Sequence, residues 1–166
     1  MHRAIAFLFL LIAASFAAAS QAQSTGTLVV VANAHGAYCS GAAPPAGMLE
    51  AIQRPRPVAG NWLVRPGRQN AGVQPVAIVH TDASGTGQVA LPPGTYCVVS
   101  EAKRAPPPHR PTPNVDPVCL RQLFRQCDAV AVVTVGAPTR VTIDHYDTCS
   151  WQQAACSTLP PGPPPP

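Results

Sequence analysis

Apolar positions come in short runs broken by turn-forming residues, a spacing that suits strands better than helices. The segment "TGTLVVVANA" from Thr25 joins β-branched residues to a glycine start and predicts a first, buried strand. "NWLVR" and "VQPVAIVHT" flank the turn formers "PGRQNAG" and predict a hairpin. "GQVALP" alternates, with Val89 and Leu91 on one face, and passes through Pro-Pro-Gly into "TYCVVS". "AVAVVTVG" and "TRVTIDHY" predict two more strands joined across "APT", with Val141 and Ile143 on one face of the second. Between Gly47 and Pro55, "MLEAIQR" has helical propensity, but its shortness and the prolines at 55 and 57 predict a strand.

Glu101 marks a break. Residues 101–117, "EAKRAPPPHRPTPNVDP", hold six prolines and predict a long extended excursion. "VCLRQLFRQCD" then predicts one or two helical turns, and "LPPGPPPP" a solvated polyproline tail. The pattern as a whole predicts an all-β fold: an antiparallel β-sandwich of about seven strands with Greek-key-like connections.

Composition adds the compartment. "MHRAIAFLFLLIAASFAAASQA" has a basic start, a short apolar run and small residues at Ser20 and Ala22, which predicts a signal peptide over residues 1–22. Residues 23–157 then form the domain and 158–166 the tail, with no stable membrane span after cleavage. Without the leader, the 166-residue chain keeps ten basic residues against seven acidic ones, too mild and scattered for a nucleic-acid binder. All six cysteines (Cys39, Cys97, Cys119, Cys127, Cys149, Cys156) lie after the leader, and an even count in an exported chain predicts three disulfides. Of fifteen connectivities, short separations point to Cys119 with Cys127 and Cys149 with Cys156 as local pairs, which leaves Cys39 with Cys97 as the long-range staple. The composition and the absence of an Asn-x-Ser/Thr sequon point to a bacterial periplasmic or secreted protein.

The stretch "VAIVHTDASGTGQVALPPGTYCVV" resembles the hairpin signature of prealbumin-like (transthyretin-like) sandwiches, found as carboxypeptidase regulatory-like domains and Cna B-type repeats. Thr81, Asp82, Gly85, Leu91, Pro92, Gly94 and Tyr96 carry the match. The residues explain it physically: Asp82 can bond forward to backbone amides, glycine supplies the unusual dihedral, and Tyr96 can bury its ring while its hydroxyl finds a partner. The resemblance extends over residues 25–100 and implies a scaffold, with no activity attached. Cna B-type domains often carry a Lys-Asn isopeptide link, but the sole lysine here, Lys103, sits in the excursion, so disulfides replace that staple.

Candidate chemistry is sparse. His35, His80, His109 and His145 lack partner spacings such as HExxH. Tyr38, Tyr96, Tyr146, His80 and His145 match the iron-ligand types of intradiol dioxygenases, which share a related sandwich, but their spacing forms no ligand motif. No nucleophile elbow or phosphate loop is present, so neither enzyme activity nor a cofactor is expected. Lys103, Arg104, His109 and Arg110 stand among prolines in a rigid, exposed setting and are the candidate partner contacts. The expectation is an exported, non-enzymatic binding or structural module of the bacterial cell envelope, meeting a protein or an anionic envelope component. The alternative is a secreted inhibitor or accessory subunit that acts on a partner protein through residues 101–128.

Overall fold

The computed structural model describes residues 24–107, 113–150, 152 and 154–163; the expected leader, His109 and Arg110 lie outside them. Two four-stranded sheets face each other. In the first, β1 (Gly26–His35) is central. β8 (Thr139–Tyr146) pairs with it in parallel from Leu28↔Thr139 to His35↔Tyr146 and fills one edge. β5 (Thr86–Leu91) and the two-residue β2 (Arg56–Pro57) share the other edge, both antiparallel. The second sheet is antiparallel throughout, in the order β4 (Ala77–Thr81), β3 (Gly60–Pro66), β6 (Gly94–Ser100), β7 (Ala129–Val133).

Strand alternation builds the core. Leu28, Val30 and Ala32 of β1, with Leu91 and Ile143, meet Trp62, Val64, Val79, Tyr96, Val98, Ala131 and Val133 of the other sheet. Removing these side chains from water is the main stabilising contribution. Trp62 Nε1 donates to Thr81 Oγ1 at 3.1 Å, and that hydroxyl donates to Val58 O at 2.8 Å, so the buried polar atoms are paired.

The all-β sandwich follows the sequence pattern, and so do the first strand, the β3–β4 hairpin and the inward faces of β5 and β8. Four local expectations are corrected. "MLEAIQ" is a helix, α1 (Met48–Gln53), started by Gly47 at φ 75° and tied down where Gly36 N donates to Ile52 O at 3.0 Å. The Asp82 and Pro-Pro-Gly turns do not close hairpins: β5 belongs to the first sheet, β4 and β6 to the second, so both turns are arches between layers. β8 brings a parallel pair into an otherwise antiparallel fold. Finally, the disulfides are Cys39–Cys149, Cys97–Cys127 and Cys119–Cys156, so the two expected local pairs and the expected long-range staple are all replaced. Cys149 and Cys156 are used to tie the end of the chain to the β1–α1 connection and to the excursion, which closer partners could not do.

The turn chemistry is as expected. Asp82 Oδ1 accepts from Ser84 N (2.8 Å), Ser84 Oγ (2.6 Å) and Thr86 N (3.3 Å), and these bonds hold its carboxyl below the usual range. Gly85 adopts φ 72°, and Tyr96 buries its ring while its hydroxyl donates to Pro92 O at 2.8 Å.

Candidate functional site

The four residues Trp62–Arg65 are buried on both faces of β3, so the outer side of the sheet is covered along this strand, while the outward residues of β4 and β7 stay exposed. Trp62 and Val64 point into the sandwich. Leu63 and Arg65 point out of it, where Leu63, Cys97 and Val99 form a second small core with Cys127. The described roof over this face consists of residues 101–107 and the helix that follows the excursion. A 3₁₀ turn at Glu101–Lys103 leads into it, and α2 (Pro117–Arg125) lies across it.

α2 forms for local reasons. Asp116 caps it, Oδ1 accepting from Val118 N at 2.8 Å and Cys119 N at 3.4 Å, and Pro117 opens the first turn, where no amide is needed. Cys119–Cys156 fastens its start, and Cys97–Cys127 fastens the chain just beyond its end. The helical turns expected at "VCLRQLFRQCD" are therefore present, but both cysteines reach outward and none closes the segment on itself.

Beneath the roof sits Arg65, 1% exposed. Its Nη1 donates to Asn70 Oδ1 at 2.8 Å and its Nη2 to Arg104 O at 2.6 Å, while Nε has no partner among the described residues. No carboxylate pairs with it there. Burial, with the Arg104 charge next, pulls its pKa below the usual arginine value. Asn70, fully buried, links the parts: Nδ2 donates to Phe124 O (2.9 Å) and Lys103 O (3.2 Å), and its backbone N donates to Arg125 O (2.9 Å). Neither residue was singled out from the sequence. The available signal was the unbroken apolar run Trp62–Val64, which implies cover on both faces of the strand.

Lys103 is tied inward, whereas Arg104 is exposed and held in a surface ion pair. Lys103 Nζ donates to Asp128 Oδ1 at 2.6 Å and to Gln126 O at 3.1 Å, and this ion pair is largely shielded. Arg104 pairs with Glu101 at 2.7 Å. Asn61 and then Arg104 hold the Glu101 carboxyl below its usual range.

Two concavities open beside α2. An apolar groove of about 290 Å³ is lined by Ala102, Ala105, Pro107, Leu120, Leu123 and Phe124, with Ser100 and Lys103 at its edge. A larger, polar cleft of about 630 Å³ is lined by Arg68, Gln69, Gln122, Arg125, Gln126, Cys127 and Val130.

The histidines scatter. His35 donates through Nδ1 to Gln53 O (2.8 Å), approaches Asp144 Oδ1 through Nε2 (3.1 Å) and stacks on Tyr146 at 4.6 Å. His80 Nδ1 bonds Asn61 Oδ1 at 2.6 Å, and His145 stacks on Trp62 at 5.5 Å. With Tyr96 committed to Pro92 O, these residues stand in separate structural roles. Among the described residues no cluster of three His, Cys, Asp or Glu is placed to hold a metal, and no helix is long and apolar enough to cross a membrane.

No family model matches the chain, and no curated protein does. Among solved structures it is similar to GBS52, the minor pilin of Streptococcus agalactiae, at 15% identity and a TM-score of 0.40, over 76% of this chain and 46% of that one. It is also similar to the Bacillus anthracis TIE protein, at 16% identity and a TM-score of 0.39, over 75% of this chain and 17% of that one. The chain spans less than half the length of either. What it is on its own evidence is a β-rich sandwich held by three disulfides, suited to a compartment outside the reducing cytoplasm.

Proposed function

We propose that the chain is an exported, non-enzymatic binding module of the prealbumin-like type, working in the periplasm or at the cell envelope, whose binding surface is the roof over its second sheet. One observation carries this reading: the roof is fastened to β6 by one disulfide, to the C-terminal segment by another and from beneath by the buried Asn70 network, and two open clefts lie beside its helix. Rigid loops on a scaffold suit recognition, because little ordering cost remains at binding. In this reading Lys103 and Arg104 shape the surface through their ion pairs, and His109 and Arg110 are proposed as further partner contacts. The clefts are lined by neutral side chains and cations, with no carboxylate, histidine or free thiol among the described residues there to act as a general base, which supports a role in binding over catalysis.

The test is saturable association of the purified, fully oxidised protein with envelope material from its own cells. Binding that is lost when residues 103–111 and the α2 surface are altered together supports the reading. No saturable association, or turnover of a small substrate, ends it. Saturable capture of one soluble protein in place of envelope material would favour the inhibitor or accessory-subunit role.

A further inference from the structure

The polar cleft beside α2 has an unusual charge balance. Arg68, from the turn after β3, and Arg125, the last residue of α2, both line it. Both are exposed, and neither guanidinium has a hydrogen-bond or ion-pair partner among the described residues. Every other lining side chain is neutral: three glutamines, Cys127 in its disulfide, and Val130. A cation at the end of a helix is favourable by itself, because it faces the terminal carbonyls. That does not account for Arg68, whose charged counterpart across the cleft is another cation.

A third positive charge lies underneath. Arg65 is the cross-strand partner of Cys97, so its side chain stands beside the Cys97–Cys127 bridge that floors the cleft. It is buried without a carboxylate among the described residues. A low-dielectric wall holding an uncompensated cation strengthens the positive potential at the opening above it.

We propose that this cleft binds an anionic saccharide, a sugar unit carrying a carboxylate or a phosphate. The proposal rests on the binding-module reading and adds the ligand class. The two guanidiniums supply forked donors to the anion. Gln69, Gln122 and Gln126 each offer both donor and acceptor atoms, which matches sugar hydroxyls that do the same. Val130 and the disulfide give an apolar floor for the ring's C–H face. The volume of about 630 Å³ suits one or two sugar units.

Titration calorimetry of the oxidised protein at low salt tests this with four probes: trigalacturonate, maltotriose, triglutamate and inorganic phosphate. Trigalacturonate is expected to bind, at least tenfold more tightly than triglutamate, and to weaken as salt is raised. Maltotriose is expected not to bind, and phosphate to compete with trigalacturonate. The doubly substituted Arg68→Gln, Arg125→Gln protein should lose at least tenfold in affinity while keeping its three bridges and melting temperature. Arg140→Gln, on β8, is the control for net charge and should bind as the parent does. Equal binding of triglutamate, binding of maltotriose, or an unaffected double variant would each overturn the proposal. If the double variant still associates with envelope material, the cleft assignment fails and the module reading stands; if the parent itself does not associate, both fail.

Discussion

Replacing Asn70 by alanine probes the roof directly, because one buried amide holds four segments together. Asn70→Ala removes the acceptor for Arg65 Nη1 and the donors to Lys103 O and Phe124 O, at a site with no access to water. Loss of a charge-assisted bond costs about 1.5–3 kcal/mol, and each neutral bond about 1 kcal/mol. The expected destabilisation is therefore about 4 kcal/mol, a large fraction of the roughly 5–15 kcal/mol that holds a domain together. Urea unfolding with the disulfides intact measures it, and amide exchange should show the α2 protons losing protection before those of β1. Much of the cost comes from stranding a buried cation, so adding Arg65→Met to Asn70→Ala should recover about half of it. A loss below about 1 kcal/mol, or strictly additive effects of the two substitutions, would refute the account of the roof as a structure built on Arg65 and Asn70.

Three further outcomes are expected. His35 is held above its ordinary 6.5, first by Gln53 O and then by Asp144, so its contribution is complete below that value and disappears as pH rises through the raised one. Asp144 is depressed below 3.8, chiefly by His35 and then Asn33, and its contribution is present above 3.8 and lost as pH falls through the depressed value. The deficit of His35→Gln in urea unfolding should therefore be larger at about pH 6 than at about pH 9; equal deficits would remove the ion pair from the account. Removing Cys39–Cys149, which spans 110 residues, should cost about 5 kcal/mol, and removing Cys97–Cys127, which spans 30, about 3.5 kcal/mol, in paired Cys→Ser proteins. Gly85→Ala should cost at least about 2 kcal/mol in the same assay, because φ is 72° and the new methyl would meet the Ala32 carbonyl and Pro57.

The strands, the Asp82 turn and the Tyr96 anchor were legible in the sequence because each rests on contacts within a few residues. Val89, Leu91, Val141 and Ile143 show their inward face by alternation alone, and "TDASG" carries its own acceptor and its own glycine. The helix at "MLEAIQ" was misread because propensity and length disagree, and the tie that settles it comes from Gly36, far from the helix in sequence. The cysteine pairings failed on the same ground: nearness along the chain says little once β8 has carried residues 139–146 back beside β1. Arg65 looked like one more exposed base, since nothing local announces that a proline-rich segment some forty residues later will cover it. The cleft between Arg68 and Arg125 is likewise a product of that folding back, with one wall from a turn and the other from a helix.

The parallel pairing of β1 with β8 sets an order of events for a chain made from its N-terminus onward. β1 is synthesised first, yet one of its two edges stays open for more than a hundred residues until the strand that seals it is made. The central strand of the first sheet must therefore wait, with its apolar side chains and free amides exposed to any other extended segment it meets. Fragments that stop before residue 139 would retain the second sheet's strands and never finish the first. Quality control of such a protein falls on its last quarter, where the closing strand and the cysteine that locks it beside β1 arrive together.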